Sequence, residues 1–173
     1  MRKYTGNTDG VSATGAKAGT TKLGQICKNR WGFSNLGIFA NRRMRNPAAD
    51  KDPNNPKWLS VHATGRAIDL GYTDRKVALQ AWDWLIANTA ALQIEEIHDY
   101  AFNSVGEGKN TAYGRGYRCS RGEGKKGIKV FTATENAGSF GGKWLHIEIS
   151  PEMANNPDKL VSVWKSLPKP AGI

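Results

Sequence analysis

The stretch KWLHIEIS, residues 143–150, alternates without a break: Leu145, Ile147 and Ile149 point one way, and Trp144, His146 and Glu148 point the other. A period of two is the mark of an extended strand with one apolar and one polar face. Such a strand belongs to a sheet that packs helices on one side only, and the rest of the chain offers suitable partners. QIEEIHDY (93–100) reads as a second strand, with Ile94, Glu96, His98 and Tyr100 on one face and Glu95, Ile97 and Asp99 on the other. KVFTA (129–133) suggests a short third strand, and LGIFA (36–40) an apolar run suited to a buried one.

Helices account for much of the remainder. Thr20 or Thr21 is placed to cap a helix running to about Arg30, with Leu23, Ile26 and Cys27 on one face. Thr73 or Asp74 opens the clearest helix, spanning about 74–92. Val77, Ala81, Trp84 and Leu85 recur there at helical spacing, and Trp82 and Ile86 widen the stripe. Asn156-Pro157 sets a cap and first-turn proline ahead of a last helix, which Pro168 and Pro170 stop. Residues 1–19 show no period and read as an irregular arm, and NPAADKDPNNPK (46–57) as a surface loop. The Gly-, Lys- and Arg-rich stretch from about Asn103 to Lys129 reads as a long mobile loop able to overhang a groove. The expected fold is α+β: a small, mainly antiparallel sheet with flanking helices, in one domain of 173 residues with no internal repeat.

Composition narrows the classes of function. No run of about 18 apolar residues is present, so nothing is expected to span a membrane. The N-terminus, MRKYTGNTDG, has charge but no apolar stretch behind it and does not read as a secretory signal. The 25 Lys and Arg against 15 Asp and Glu leave a net charge of +10. That excess favours a polyanion, whether nucleic acid, an acidic membrane surface or an anionic wall polymer. Arg42, Arg43 and Arg45 form one basic cluster, and Arg115 through Lys129 another. Cys27 and Cys119 lie far apart with no CxxC, which argues against a zinc–thiolate site, and in a protein made in the cytosol two free thiols are expected rather than a disulfide.

The chemistry gathers on three histidines. His146 stands on the polar face of the alternating strand, His98 is in mid-strand, and His62 precedes Asp69 by seven residues in SVHATGRAID (60–69). A lone strand histidine is as a rule a hydrogen-bonded structural residue, so only the combination is informative. Two imidazoles and one carboxylate are a zinc ligand set that leaves a coordination position for water. His62, Asp69 and His146 supply that set if the turn at Gly65 brings the first two together and a neighbouring strand adds the third. Ser60 can steady the His62 loop by hydrogen bonding, and Gly65 can allow a close turn.

SVHATGRAID completes the pattern S-x-H-x-x-G-x-A-x-D and resembles the signature of the D-Ala-D-Ala metallopeptidase (VanY/VanX-like) family, part of a wider group with lysostaphin-type peptidases and the hedgehog signalling domain. Trp144-Leu145-His146-Ile147-Glu148 is similar to that family's W-x-H-x-E strand, and NLGIFANRRMR (35–45) to an upstream N-L-G-I-Y-N-C-R-x-x-R segment, so the resemblance covers roughly residues 35–150. It implies a peptidase fold of the same kind, with one zinc ion held by His62, Asp69 and His146. It also implies an arginine that binds a substrate carbonyl or carboxylate, for which Arg42 aligns best and Arg45 next. The family places a carboxylate general base three residues before the last histidine, and here that position is Lys143, whose ammonium cannot accept a proton. Lysostaphin-type relatives use a non-ligand histidine near the zinc, so His98 is the first substitute, followed by Glu96 and Glu148. Asp99 is a further expectation, as an acceptor orienting a ligand's second ring nitrogen.

The activity so implied is hydrolysis of peptide bonds in bacterial peptidoglycan, on a stem or cross-bridge peptide, by a monomeric phage endolysin. Such an enzyme would stay in the host cytoplasm until release and then act on the wall, its basic surface holding it to anionic wall polymers. Two alternatives carry different expectations. A non-catalytic wall-binding relative with a relic zinc site would release no new amino termini. A nucleic-acid-binding protein would show steeply salt-dependent binding, but no nucleic-acid fold signature accompanies the charge.

Overall fold

In the computed structural model, residues 1–44, 51–52, 55–102, 114–131 and 141–169 are described. Helix α1, Ala18–Trp31, buries Leu23, Cys27 and Trp31, spaced by four, together with Gly24 and Thr20. It begins before the expected threonine cap. Lys17 occupies the cap position without a side-chain bond, and Thr20 is buried inside the helix instead. Gly32, at φ +70°, ends it in the left-handed conformation that a glycine adopts without penalty. Strand β1, Ser34–Gly37, follows, then two short 3-10 turns, Pro56–Trp58 and Val61–Thr64. Strand β2 is Ala67–Gly71. Helix α2, Arg75–Ala87, is capped by Asp74, whose carboxylate accepts from the backbone N–H of Lys76 and Val77. It stops five residues short of the expected end. Its buried face is Ala78, Ala81, Trp82, Leu85 and Ile86, with Val77 and Trp84 at the margin of the core.

Strands β3 (Ile94–Asp99), β4 (Arg115–Arg118), β5 (Ile128–Val130) and β6 (Trp144–Ile149) complete one open sheet in the order β1-β2-β6-β3-β4-β5, every neighbouring pair antiparallel. Two C-terminal helices, α3 (Pro151–Asn155) and α4 (Pro157–Ser166), pack back onto α1. The fold is therefore α+β, a small antiparallel sheet with flanking helices. None of the described helices is long and apolar enough to cross a membrane.

The last strand in sequence is a central strand in space. Leu145, Ile147 and Ile149 of β6 lie against Ile68 and Leu70 of β2, Ile94 and Ile97 of β3 and the buried faces of α1 and α2, and all seven named side chains are fully buried. Burying each such side chain is worth on the order of 1.5–3 kcal/mol. The helices cover this face, so the opposite face, with His146 and Glu148, is left for other work.

Four expectations from sequence need correction. LGIFA is not a buried strand: β1 is an exposed edge strand, Leu36 and Phe39 are exposed, and only Ile38 turns inward. Strict alternation fails at the start of β3, because Ile94 pairs with Ile149 and Glu96 with Glu148. Glu95 is thus the extra residue of a bulge, and Ile94 joins Ile97 on the core face. The Gly/Arg-rich region is not a loop from Arg115 onward. It forms β4, two 3-10 turns (Cys119–Arg121 and Gly124–Gly127) and β5, which starts one residue earlier than expected. The strand expectation for Thr132 and Ala133, like residues 103–113 of the loop expectation, lies outside the described residues. Finally, α3 was not anticipated; Ser150 caps it by accepting from the Met153 N–H. Cys27 and Cys119 are both free and buried.

The N-terminal arm has no regular structure but is clamped along its length. Arg2 reaches Glu123 and the Thr89 and Ile94 carbonyls, and the Thr5 hydroxyl donates to Glu95. The guanidinium of Arg66, fully buried, pairs with Asp9 and Glu95 and donates to the Gly6 carbonyl. The Ser12 N–H donates to the Ala63 carbonyl and the Lys17 N–H to that of Gly65. Gly65 itself sits at φ +74°, and a Cβ there would run into the Gly15 carbonyl oxygen. Gly65→Ala is therefore expected to destabilise the protein by about 2–4 kcal/mol, since a left-handed backbone and a backbone overlap add. Denaturant unfolding reads this directly, and a change within about 0.5 kcal/mol would mean that the turn and arm are not locked together.

Candidate metal centre

Register on the sheet builds the site. Asp69 of β2 and His146 of β6 are direct cross-strand partners, and both neighbours of Asp69, Ile68 and Leu70, point into the core. Asp69 must therefore point to the polar face beside His146. His62 arrives from the 3-10 turn Val61–Thr64. Its backbone N–H donates to the Ser60 hydroxyl oxygen at 3.3 Å, and Gly65 reverses the chain into β2. Ser60 thus does steady the His62 turn.

The side chains close on one another. His62 Nε2 lies 3.3 Å from Asp69 Oδ2 and His146 Nδ1 lies 2.9 Å from Asp69 Oδ1. One ligand atom from each of the three falls within 4.8 Å of the other two. Donors about 2.0–2.2 Å from a single tetrahedral ion stand roughly 3.3–3.6 Å apart, so this group can hold a metal ion with small adjustments. The outer nitrogens are also engaged. The Ile38 carbonyl stands 2.8 Å from His62 Nδ1, and Glu148 Oε1 stands 3.0 Å from His146 Nε2. Both are acceptors, so each takes the ring N–H and leaves the inward nitrogen with its lone pair.

Without a metal the same contacts bind a proton. Burial pushes the His146 imidazolium down, but hydrogen bonds to Asp69 and Glu148, and their charges, outweigh it and raise its pKa to about 10. Burial likewise pushes the Asp69 carboxyl up, yet hydrogen bonds from His146 and His62 hold it well below the ordinary carboxylate range. A dication would take the place of that proton.

A second group lies next to the first. His98 of β3 is the cross-strand partner of His146, and their ring centres are 5.8 Å apart. Glu96 and Glu148 are paired one step along, and Arg118 of β4 is paired with Glu96. His98 Nε2 is 2.8 Å from Glu96 Oε1, and Arg118 donates to both oxygens of that carboxylate. Burial pushes Glu96 up, but the charges of His98 and Arg118 and their hydrogen bonds lower it to about 2. Glu96 is thus an anchored anion. His98 Nδ1 is buried and has no hydrogen-bond partner among the described residues. Gly116 faces His98 across the β3–β4 pair; a Cβ there would press on the Phe131 ring and on His98 Cδ2. The His98 ring also packs against Phe131 and Tyr100, with centres 5.5 Å away in both cases.

Not every residue singled out from sequence joins this face. Asp99 is a correction. It alternates to the other side of β3, where it is fully buried and paired with Arg75 and Arg115, so it cannot orient a ligand histidine. The Ile38 carbonyl and Glu148 do so instead. Glu148 accepts from His146 and from the Tyr4 hydroxyl, which makes it a support for the ligand. Arg42 is exposed and lies within electrostatic reach of the Tyr100 hydroxyl, which also feels Asp69. Arg45 lies outside the described residues. Lys143 is exposed at the entrance to β6.

Sequence reasoning missed Tyr100, Tyr4 and Phe131. Tyr100 was legible as a member of the His98 face, and it packs between His98 and Trp144. Nothing in the sequence pointed to Tyr4, which is 144 positions from Glu148. No family model matches this chain, and no curated protein or solved structure does either.

Proposed function

We propose that this protein is a zinc-dependent peptidase of the D-Ala-D-Ala metallopeptidase type, with the corresponding hedgehog-like fold, acting on the peptide part of bacterial peptidoglycan. One observation carries the reading: two imidazoles and a carboxylate converge within 4.8 Å on a sheet face that also presents a third histidine, anchored by Glu96. The motifs at 60–69 and 144–148 set the same residues in the family's order.

His62, Asp69 and His146 would hold the zinc, with their rings fixed by Ile38 and Glu148. A bound zinc ion supplies Lewis acidity, which acidifies water and polarises a carbonyl. His98 is the residue best placed to accept the proton. Glu96 anchors its Nε2–H and stabilises the imidazolium that forms, and Nδ1 is uncommitted. Glu96 and Glu148 are less suited, because each carboxylate is already engaged as an acceptor. Arg42 offers a guanidinium for a substrate carbonyl or carboxylate. The net charge of +10 supports retention on anionic wall polymers; a monomeric endolysin, released from the host cytoplasm, is the mode of action that the family resemblance implies.

Purified wall preparations test the activity. Loss of turbidity with release of new amino termini, abolished by a chelator and restored by zinc, is expected. The exposed Lys143 favours one competing account, a wall-binding relative without turnover. Wall binding with no released termini from any preparation would establish that account in place of the peptidase.

A further inference from the structure

The N-terminal arm lies beside the metal centre and leaves one side chain, Tyr4, in contact with Glu148, which supports His146, and with Arg118, which pairs with Glu96. The Tyr4 hydroxyl donates to Glu148 Oε2 at 2.8 Å, and the other oxygen of that carboxylate, Oε1, faces His146 Nε2 at 3.0 Å. The Arg118 guanidinium lies over the Tyr4 ring at 4.4 Å, and the same guanidinium grips Glu96, which anchors His98. Glu148 is buried, with 4% of its surface exposed. It has one lone-pair-rich oxygen for the ligand and one that needs its own donor, and Tyr4 is that donor. With both oxygens held, the carboxylate cannot rotate away from His146.

We propose that Tyr4 is a positioning residue of the metal centre, fixing Glu148 and through it the His146 ring, so that residues of the arm complete a site whose ligands all lie beyond residue 60. This rests on the metal-binding reading of His62, Asp69 and His146, and it is independent of which substrate is cut. Partners one step behind a metal ligand are worth about 10–100-fold in metal affinity. The ring is a separate matter. Phenylalanine keeps the contact with Arg118, so Tyr4→Phe removes only the hydroxyl.

Cobalt(II) is the probe, titrated into the full chain against a competing chelator and read by its visible absorption. Tyr4 acts through Glu148 rather than on His146 directly, so Tyr4→Phe is expected to weaken cobalt binding about tenfold, the lower end of that range, and to shift the absorption band. The comparison variant is Thr5→Val, which loses the neighbouring arm contact to Glu95 but touches neither histidine support. It should lose similar thermal stability in the metal-free state and bind cobalt as the parent does. Unchanged affinity and spectrum in Tyr4→Phe would overturn the role of Tyr4, and equal weakening in both variants would overturn it too, by showing a general effect of arm stability. A parent chain that takes up no cobalt overturns the metal centre and this role together. A Tyr4 effect on cobalt in a protein that cleaves no wall peptide supports the role and counts only against the peptidase.

Discussion

Asp69→Ala is expected to take the protein from about one bound zinc per chain to none, as large an effect as any single substitution in the site. Asp69 is the member of the trio that touches both others, through Oδ2 to His62 and Oδ1 to His146. Its removal deletes a candidate ligand and, among the described residues, the only anion between the two imidazoles, so the remaining pair would have to hold a dication without a negative charge in contact with it. The fold should survive. Asp69 lies on the polar face, while Ile68 and Leu70 continue to anchor β2 in the core. In the metal-free variant the His146 imidazolium loses one of its two carboxylate partners, so its pKa falls from the raised value. Metal analysis after exhaustive dialysis, with circular dichroism to verify folding, decides the matter. His62→Ala should behave alike. Full zinc retention in both folded variants would remove them from the ligand set.

His98→Ala is expected to lower the rate of wall-peptide hydrolysis by about 10²–10⁴-fold, the usual contribution of a general acid or base, with zinc content unchanged. The separation of the two effects follows from geometry. His98 is next to His146 but belongs to the Glu96–Arg118 pair, not to the cluster that converges on Asp69. Glu96→Gln keeps the ring and its Nδ1 and weakens only the support at Nε2, so a smaller loss, about tenfold, is expected by analogy with other residues that act through a histidine. Equal rates for His98→Ala and the parent, at equal zinc, would move the proton acceptor to another group. A loss accompanied by missing zinc would make His98 a contributor to metal binding instead.

Much of the architecture was legible because its signals are local. The alternation of 144–149 gave both the strand and its polar face. Asp74 followed by a helical stripe gave α2, and the ten residues from Ser60 gave the His62 turn with its glycine reversal. The errors share a different origin. The region from Arg115 to about Lys129 read as a mobile basic loop, since glycine is depleted in strands. It is a strand pair because Tyr117 enters the core, Arg118 meets Glu96, and Arg115 meets Asp99 while stacking on Trp82 and Phe102. The partners that make those arginines acceptable inside a sheet are elsewhere in the chain. The bulge at Glu95 is of the same kind. Thr5 and Arg66 hold that carboxylate, and no pattern within β3 announces them.

The metal trio marks the division. By itself the sequence determined which residues could bind a metal, because ligand chemistry belongs to side-chain type and the motif spacing confines His62 and Asp69 to one turn and strand. Only the tertiary structure decided which atoms face inward. That depends on the β2–β6 register, on the Ile38 carbonyl behind His62 and on Glu148 behind His146. It also decided that Asp99 is a core ion-pair partner, and that an irregular arm supplies a tyrosine to the site. Hydrogen-bond supports are chosen by distance in space, and pairs such as Tyr4 and Glu148 become neighbours only when the sheet is complete.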